Sequence, residues 1–141
     1  MAEQENERVV RDAYAAFQRA DIPGLLELLS DDIDWWIPGS PEQIPGSGRI
    51  RGREAVGGFF VTLDASQEFT HFEPQEFISQ GDKVVVSGNY KGRTRPAGRE
   101  FDIDWLHVFT VRDGRISAFR EYFDTAALAE AHRAATAQTA G

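Results

Sequence analysis

The chain has 141 residues and no cysteine, and 23 acidic against 15 basic side chains give it a net charge of −8 and a pI near 4.8. This length predicts a single domain that folds around its own core. The composition excludes disulfides, thiolate metal sites and a cysteine nucleophile, and the acidity argues against a nucleic acid partner.

The hydropathy pattern gives no sign of a membrane segment. No apolar run approaches the roughly 20 residues of a membrane helix, and the polar, acidic start MAEQENERVV is unlike a secretory signal. We therefore expect a cytoplasmic protein with no membrane partner. Ten Phe, three Trp and three Tyr predict a core, or a pocket, lined by aromatic rings.

Three helices are predicted ahead of most of the strands. Apolar residues recur at helical spacing from Glu3 to Ala20, which predicts a first helix. Asp21 suits the N-cap of a second helix, which Ser30 to Asp32 would end. A third helix is expected after Gly52, roughly from Arg53 to Ala65. The apolar sides of the first two helices consist of Val10, Tyr14, Phe17, Leu25, Leu26, Leu28 and Leu29.

A short strand and a long loop separate the second and third helices. The strand runs from Ile33 to Ile37, with Trp35 on the face of these two residues and Trp36 on the opposite face. Pro38 to Gly52 contains three prolines and four glycines and is predicted to be a loop, of a length often found in lids.

Three arginines alternate at the end of this loop. Arg49, Arg51 and Arg53 would lie near the mouth of a pocket and are candidates for holding an anionic group. The alternative is a solvated basic stretch that balances the acidity of the chain.

The second half of the chain predicts a meander of strands. Two extended segments, Phe69 to Ser79 and Lys83 to Arg93, precede a long hairpin from Phe101 to Asp124. Pro74 places the first segment at a sheet edge or a bulge. A last helix would follow Asp124 or Thr125 and run to about residue 135.

This element order indicates an α+β fold. We expect a cone-shaped α+β barrel, in which three N-terminal helices pack on a strongly bent, mostly antiparallel sheet. Residues 1–135 would form the single domain, and residues 136–141 a frayed tail. A cone lined by rings is suited to hold a ligand.

The turn of the hairpin decides which side chain stands beside His107. A two-residue loop, Asp113-Gly114, would pair His107 with Arg120. A three-residue loop, Arg112 to Gly114, would pair His107 with Phe119. A change of one residue in register moves every side chain of a strand to the other face.

We favour the three-residue loop because it gathers the aromatic residues of the hairpin on one face. Two ionisable groups, His107 and Glu121, are then set into that face, with Glu121 opposite Trp105. The apolar members of the face are Ile103, Trp105, Phe109, Phe119 and Phe123.

Three passages carry a resemblance to a known family: DDIDWWIPG, RGREAVGGFF and HVFTVRDGRISAFREYFD. They resemble the first strand, the start of the third helix and the closing hairpin of the nuclear transport factor 2-like superfamily, most of all its ketosteroid-isomerase-related, SnoaL-like branch. The resemblance spans roughly Glu7 to Glu130 and implies the cone fold. That fold hosts isomerases, cyclases, epoxide hydrolases, dehydratases and non-catalytic modules.

The resemblance implies that the steroid isomerase set is incomplete. Ile37 stands at the position of the aspartate base, and His107 at that of the protonated acid. Ala13 stands at the position of the donor tyrosine, with Tyr14 beside it.

The limonene-type epoxide hydrolase set is incomplete as well. Glu121 matches its last-strand acid, but Asn89 and Lys91 replace the central Arg and Asp. Polyketide-cyclase-like chemistry, which needs mainly one acid or base in an apolar cone, remains compatible with the sequence.

His107 and Glu121 are the candidate catalytic residues, because an imidazole beside a carboxylate in an apolar pocket is suited to proton transfer. The alternative is an ion pair that only orders the site. No cofactor is implied, and no metal is expected because His71, His107 and His132 lack ligand spacing. The candidate pocket-lining residues are Tyr14, Trp35, Ile37, Phe60, Trp105, Phe119 and Phe123.

Three functions follow from these observations. The first is a cofactor-free isomerase, cyclase or dehydratase acting on a small apolar molecule. The second is a module that binds such a molecule without converting it. The third is a dimerisation module. The resemblance implies a homodimer through the outer sheet face, formed by Trp36, Leu106, Val108 and Tyr122.

Overall fold

The structure, a computed structural model, describes the backbone of residues 2–140 and the side chains of residues 2–133. The elements in this range are α1 (Ala2–Gln18), α2 (Ile22–Glu27), β1 (Leu29–Ile37), β2 (Gly48–Arg51), α3 (Arg53–Ser66), β3 (Gln67–Gln80), β4 (Lys83–Thr94), β5 (Glu100–Arg112), β6 (Arg115–Phe123) and α4 (Thr125–Ala140). The side chains of the tail predicted to fray, 136–141, lie outside the described residues.

The strands form one bent, open sheet in the order β2-β1-β6-β5-β4-β3. Every neighbouring pair is antiparallel except β1 and β6, which run parallel. Register shifts within the β1–β6, β3–β4 and β5–β6 pairs bend the strands. The predicted α+β class is confirmed, and the sheet keeps two free edges rather than closing into a complete barrel.

The helices cover the inner face of the sheet, where α1 packs on β3, β4 and β5 and α3 packs on β1. The alternation of side chains along the strands creates this face. On β5, for example, Phe101, Ile103 and Trp105 are buried, whereas Asp102 and Asp104 between them are exposed. Each large apolar side chain buried in this way contributes about 1.5–3 kcal/mol. In the described part of the chain, no helix is long and apolar enough to cross a membrane.

Two predictions between α1 and α3 need correction. The helix α2 starts at the predicted N-cap, Asp21, whose carboxylate accepts a hydrogen bond from the backbone N–H of Gly24 at 3.0 Å. It ends earlier than predicted, and Leu29 is the first residue of β1, because Leu29 pairs with Ile116 of β6. Long-range pairing there outweighs the helical spacing of the leucines.

The predicted loop from Pro38 to Gly52 is also shorter than expected. Residues Gly48–Arg51 form strand β2, which pairs antiparallel with β1 so that Ile50 lies opposite Trp35. The surrounding glycines and prolines indicate a loop, and only the partner strand reveals the pairing. Pro74, by contrast, lies on an edge strand beside a register shift, as predicted.

The three-residue hairpin loop is wrong. Arg112 pairs with Arg115 around the two-residue turn Asp113-Gly114, whose φ angles are 52° and 77°. Positive φ at both central residues is typical of the tight type I′ turn. Beyond this turn, Val111 pairs with Ile116, and the next residue of β5, Thr110, pairs with Ala118. Ser117, which lies between Ile116 and Ala118 on β6, has no partner on β5. Ser117 is therefore a bulge.

The bulge leaves the predicted face intact although the predicted pairs change. His107 lies opposite Glu121 and Trp105 opposite Phe123, in place of the expected His107–Phe119 and Trp105–Glu121 pairs. The observed register differs from the predicted one by two residues, and a shift of two keeps every side chain on its own face. His107 and Glu121 therefore both point inward.

We expect Gly88→Ala to lower the free energy of unfolding by about 1–3 kcal/mol. A Cβ at this position on β4 would press against the Trp105 ring and lie 2.6 Å from the carbonyl oxygen of Glu73. Gly58→Ala is the control, since a Cβ there meets nothing within 4 Å and stands inside α3. It should raise stability by about 0.5–1 kcal/mol. Urea denaturation measures both, and equal effects would contradict the close packing at Gly88.

Candidate functional site

A cavity lies between the helices and the inner face of the sheet. Its volume is about 90 Å³. This volume lies below the roughly 300–1,000 Å³ that is typical of small-molecule pockets. Its lining includes eight of the nine predicted site residues: Tyr14, Trp35, Ile37, Phe60, His107, Phe119, Glu121 and Phe123.

Trp105, the ninth predicted site residue, supports the cavity wall from behind and does not line the cavity. It is only 2% exposed, and its ring stacks on the ring of His107 with 3.8 Å between centroids. The space that Trp105 needs is provided by Gly88, which lies opposite it on β4. The position of the His107 ring is thus fixed by packing.

Four buried polar side chains form one hydrogen-bonded chain at the cavity wall. Tyr14 Oη lies 2.7 Å from His107 Nδ1, and His107 Nε2 lies 2.9 Å from Glu121 Oε2. The hydroxyl of Tyr90 donates to the same oxygen of Glu121 at 3.3 Å. None of the four residues is more than 8% exposed.

The direction of these hydrogen bonds follows from the state of the two phenols. Burial, and secondly the negative charge of Glu121, raise the pKa of Tyr14 and of Tyr90 well above the usual value. Both phenols therefore keep their protons and act as donors. We assign the proton of a neutral imidazole to Nε2, because this nitrogen faces the carboxylate of Glu121, and Nδ1 then accepts from Tyr14. Glu121 therefore accepts hydrogen bonds from His107 and from Tyr90.

Neighbouring strands and the first helix position these groups. His107 on β5 and Glu121 on β6 are direct cross-strand partners. Tyr90 stands on β4, opposite Ile103 of β5. Tyr14 reaches the sheet from α1, where its helical spacing places it on the buried side.

Sequence reasoning missed Tyr90, although the signal was present. Every second residue of β4 from Val84 to Thr94 is buried, and this alternation includes Tyr90. The resemblance drew attention to Asn89 and Lys91 instead, which lie on the opposite face of the strand. The side chain of Asn89 donates there to Asp102 and Asp104.

The arginines expected near the pocket mouth lie elsewhere. Arg49 donates to Asp34 at 2.9 Å, and this hydrogen bond holds the pKa of Asp34 below its usual value. Arg53 donates to the backbone carbonyl of Leu29, and Arg51 is exposed. No Lys or Arg appears among the described residues that line the cavity. These contacts favour the alternative of a solvated basic stretch, in which Arg49 pairs with Asp34 and Arg53 with Asp31.

Part of the predicted lid segment reaches the cavity. Ile44 and Pro45 line the cavity, and Ile44 is only 2% exposed.

The described side chains form no group of metal ligands. Among side chains 2–133, no three His, Asp or Glu residues come together as ligands for a metal ion.

Comparison with known proteins relates this cavity to a recognised domain. Residues 10–119 match the sequence model of the SnoaL-like domain. A solved NTF2-like protein from Burkholderia xenovorans LB400 is 39% identical, with a TM-score of 0.85, over 94% of this chain and 98% of its own. An uncharacterized protein of Mycobacterium tuberculosis is 26% identical over 122 residues, 86% of this chain and 91% of its own length.

A further solved structure is that of a protein co-crystallized with a ligand. TerC, co-crystallized with polyporic acid, is 29% identical, with a TM-score of 0.82, over 92% of this chain and 98% of its own. The shared fold therefore extends over nearly the full length of both chains.

We expect Tyr90→Phe to lower the free energy of unfolding by about 1.5–3 kcal/mol, because it removes a donor from a buried charged acceptor. The matched control is Tyr122→Phe, since Tyr122 is 43% exposed and accepts or donates no side-chain hydrogen bond to the described residues. That variant should stay within about 0.5 kcal/mol of the parent chain. Urea denaturation at pH 7 compares them, and an equally small effect at Tyr90 would mean that its hydroxyl does not stabilise Glu121.

Proposed function

Because the chain belongs to the SnoaL-like family, we propose that its cavity binds a small, largely apolar molecule and that His107 and Glu121 serve proton transfer on it without a cofactor. The reaction would be of the isomerase, cyclase or dehydratase type. The single observation that carries this proposal is a buried His–Glu pair in the wall of an otherwise apolar cavity.

The cost of burial supports a functional role for this pair. A charged group inside a protein is costly unless hydrogen bonds satisfy it, and apolar side chains of similar volume would often be at least as stable. Ionisable groups placed against an apolar cavity are therefore candidates for catalysis. A carboxylate hydrogen-bonded to an imidazole at such a wall is well suited to accept and return a proton.

Binding without conversion is the second candidate, and one observation favours it. Both ring nitrogens of His107 already have partners in the protein, Tyr14 and Glu121. In that case the polar chain would only orient a ligand. TerC, with its polyporic acid ligand, gives a first compound to titrate for either function.

The outer face of the sheet supports a homodimer as part of the proposal. Leu106 and Tyr122 are cross-strand partners on this face and are 45% and 43% exposed. The ring of Trp36 lies 5.3 Å from that of Tyr122. Adjacent exposed apolar side chains of this kind are typical of an interface.

For any compound that the protein converts, we expect Glu121→Gln to slow turnover by about 10²–10⁴-fold, the usual contribution of a general acid or base. Glu76→Gln, an exposed substitution of the same kind on β3, should leave turnover unchanged. Candidate ligands come from native mass spectrometry of freshly purified protein and from titration of polyporic acid. A ligand that binds both the parent chain and Glu121→Gln and is recovered unaltered would favour the binding module.

We expect native mass spectrometry to show a species near twice 15.7 kDa. Leu106→Glu should shift the population to the monomer, because it places a charge on the proposed interface. The control is Val61→Glu, since Val61 is 71% exposed but lies on α3, away from the outer sheet face. A monomeric parent chain, or equal behaviour of the two variants, would argue against this interface.

A further inference from the structure

We propose that the ligand of this protein lies mostly in a second space, an outer groove between α1, α3 and β3, and that only one end of it enters the cavity beside His107 and Glu121. The ligand is then an elongated molecule with more than one aromatic ring and no negative charge. This proposal rests on the proposed function, because it takes the cavity of the His–Glu pair, the inner cavity, to be part of a small-molecule site. It adds a binding region and a class of ligand.

The inner cavity is too small to contain a ligand of ordinary size. Its volume of about 90 Å³ compares with roughly 300–1,000 Å³ for typical small-molecule pockets. A ligand of the usual size that reaches the His–Glu pair therefore extends beyond this cavity.

A groove of suitable size adjoins the inner cavity. The volume of this outer groove is about 780 Å³, and it lies between the end of α1, the start of α2, α3 and the first half of β3. Six residues line both spaces and separate them: Phe17, Phe60, Leu63, Gln67, Phe69 and Phe72. A molecule in the groove therefore contacts the same wall as one in the inner cavity.

The wall between the two spaces consists largely of aromatic rings. The centroid of the Phe17 ring lies 4.9 Å from that of Phe72 and 5.9 Å from that of Phe60. Phe17 is half-buried in the last turn of α1, so that rotation of its side chain, without movement of the backbone, would open a path between the spaces. Rings at such a wall offer faces and edges to further rings, which favours an aromatic ligand.

Val61 is a second sign that the groove binds an apolar molecule. It is 71% exposed, more than the other exposed large apolar side chains of the described residues, and it lines the groove. It is not isolated, because half-buried Phe69 and Phe72 line the same groove. A concave apolar surface left open in this way is typical of a ligand-binding groove.

The charges of the groove disfavour an anionic ligand. Asp64 and Glu68 are exposed in its lining, and Arg95 is the one Lys or Arg among the described residues that line it. Arg95 is already engaged: its Nη1 donates to the backbone carbonyl of Asp64 at 3.0 Å, and its Nη2 lies 4.0 Å from the carboxylate of Glu68. An anion would therefore meet two carboxylates with no free guanidinium to offset them.

The test compares three probes by isothermal titration calorimetry at pH 7: phenol, 4-phenylphenol and biphenyl-4-carboxylate. We expect 4-phenylphenol to bind at least about tenfold more tightly than phenol, because the groove buries its second ring. Biphenyl-4-carboxylate should bind at least about fivefold more weakly than 4-phenylphenol, because the acidic side chains repel it.

Two matched variants locate the second ring. Val61→Glu should weaken binding of 4-phenylphenol by at least about fivefold and leave binding of phenol within about twofold, since it places a charge only where the longer molecule lies. The control is Ile78→Glu, because Ile78 is 65% exposed on β3 and lines neither space. It should change the binding of neither probe.

A second measurement uses the parent chain and does not depend on the folding of a variant. In a ¹³C-methyl NMR titration, the methyl signals of Val61 should shift on addition of 4-phenylphenol and stay in place on addition of phenol. The methyl signals of Ile78 should stay in place with both probes.

The outcomes separate this proposal from the proposed function. Equal effects of Val61→Glu and Ile78→Glu, with unshifted Val61 signals, would overturn the groove and leave the inner cavity as a site. Loss of the dimer in Val61→Glu would overturn it too, because a second copy would then cover the groove. Tighter binding of biphenyl-4-carboxylate would overturn the class of ligand.

Failure of phenol and 4-phenylphenol to bind the parent chain would count against the groove and the small-molecule site alike. Binding of 4-phenylphenol in the groove, combined with unchanged turnover in Glu121→Gln, would support the groove and argue against proton transfer by Glu121.

Discussion

The negative charge of Glu121 in an apolar interior is the constraint on which the arrangement of this protein depends. Such a charge persists only if donors reach it, and they come from separate parts of the chain: His107 from β5 and Tyr90 from β4. Tyr14 of α1 completes the set by donating to His107. Removing one donor from a buried charged acceptor typically costs about 1.5–3 kcal/mol. One carboxylate therefore links the first helix to three adjacent strands, β4, β5 and β6.

Much of the fold was predictable because it follows from local periodicity. Helical spacing predicted α1 and α3, and alternation predicted which residues of β5 and β6 face inward. Two features depended on distant partners instead: the early start of β1 at Leu29, which pairs with Ile116, and the strand β2 among glycines and prolines. The hairpin pairs were wrong by two residues, yet the face was right, since alternate residues share a face.

The site was predictable in its residues and less so in their roles. His107 and Glu121 stand in an aromatic pattern that singles them out, and the resemblance placed both at pocket positions. Tyr90 was predictable from the alternation along β4, which places its side chain on the inner face of the sheet. The occupation of both nitrogens of His107 could not be read from the sequence, because it depends on a helix residue 93 positions away.

The bulge at Ser117 has a consequence for how related chains can diverge. It absorbs one residue between the exposed turn and the carboxylate, because Ile116 and Ala118 pair with consecutive residues of β5. A chain that lost this residue could form the same two-residue turn, pair regularly and still bring its glutamate opposite the histidine. The segment between the turn and Glu121 can thus differ in length by one residue while the His107–Glu121 pair is kept. Counting residues from this turn is therefore a poor guide to whether a relative has kept the carboxylate.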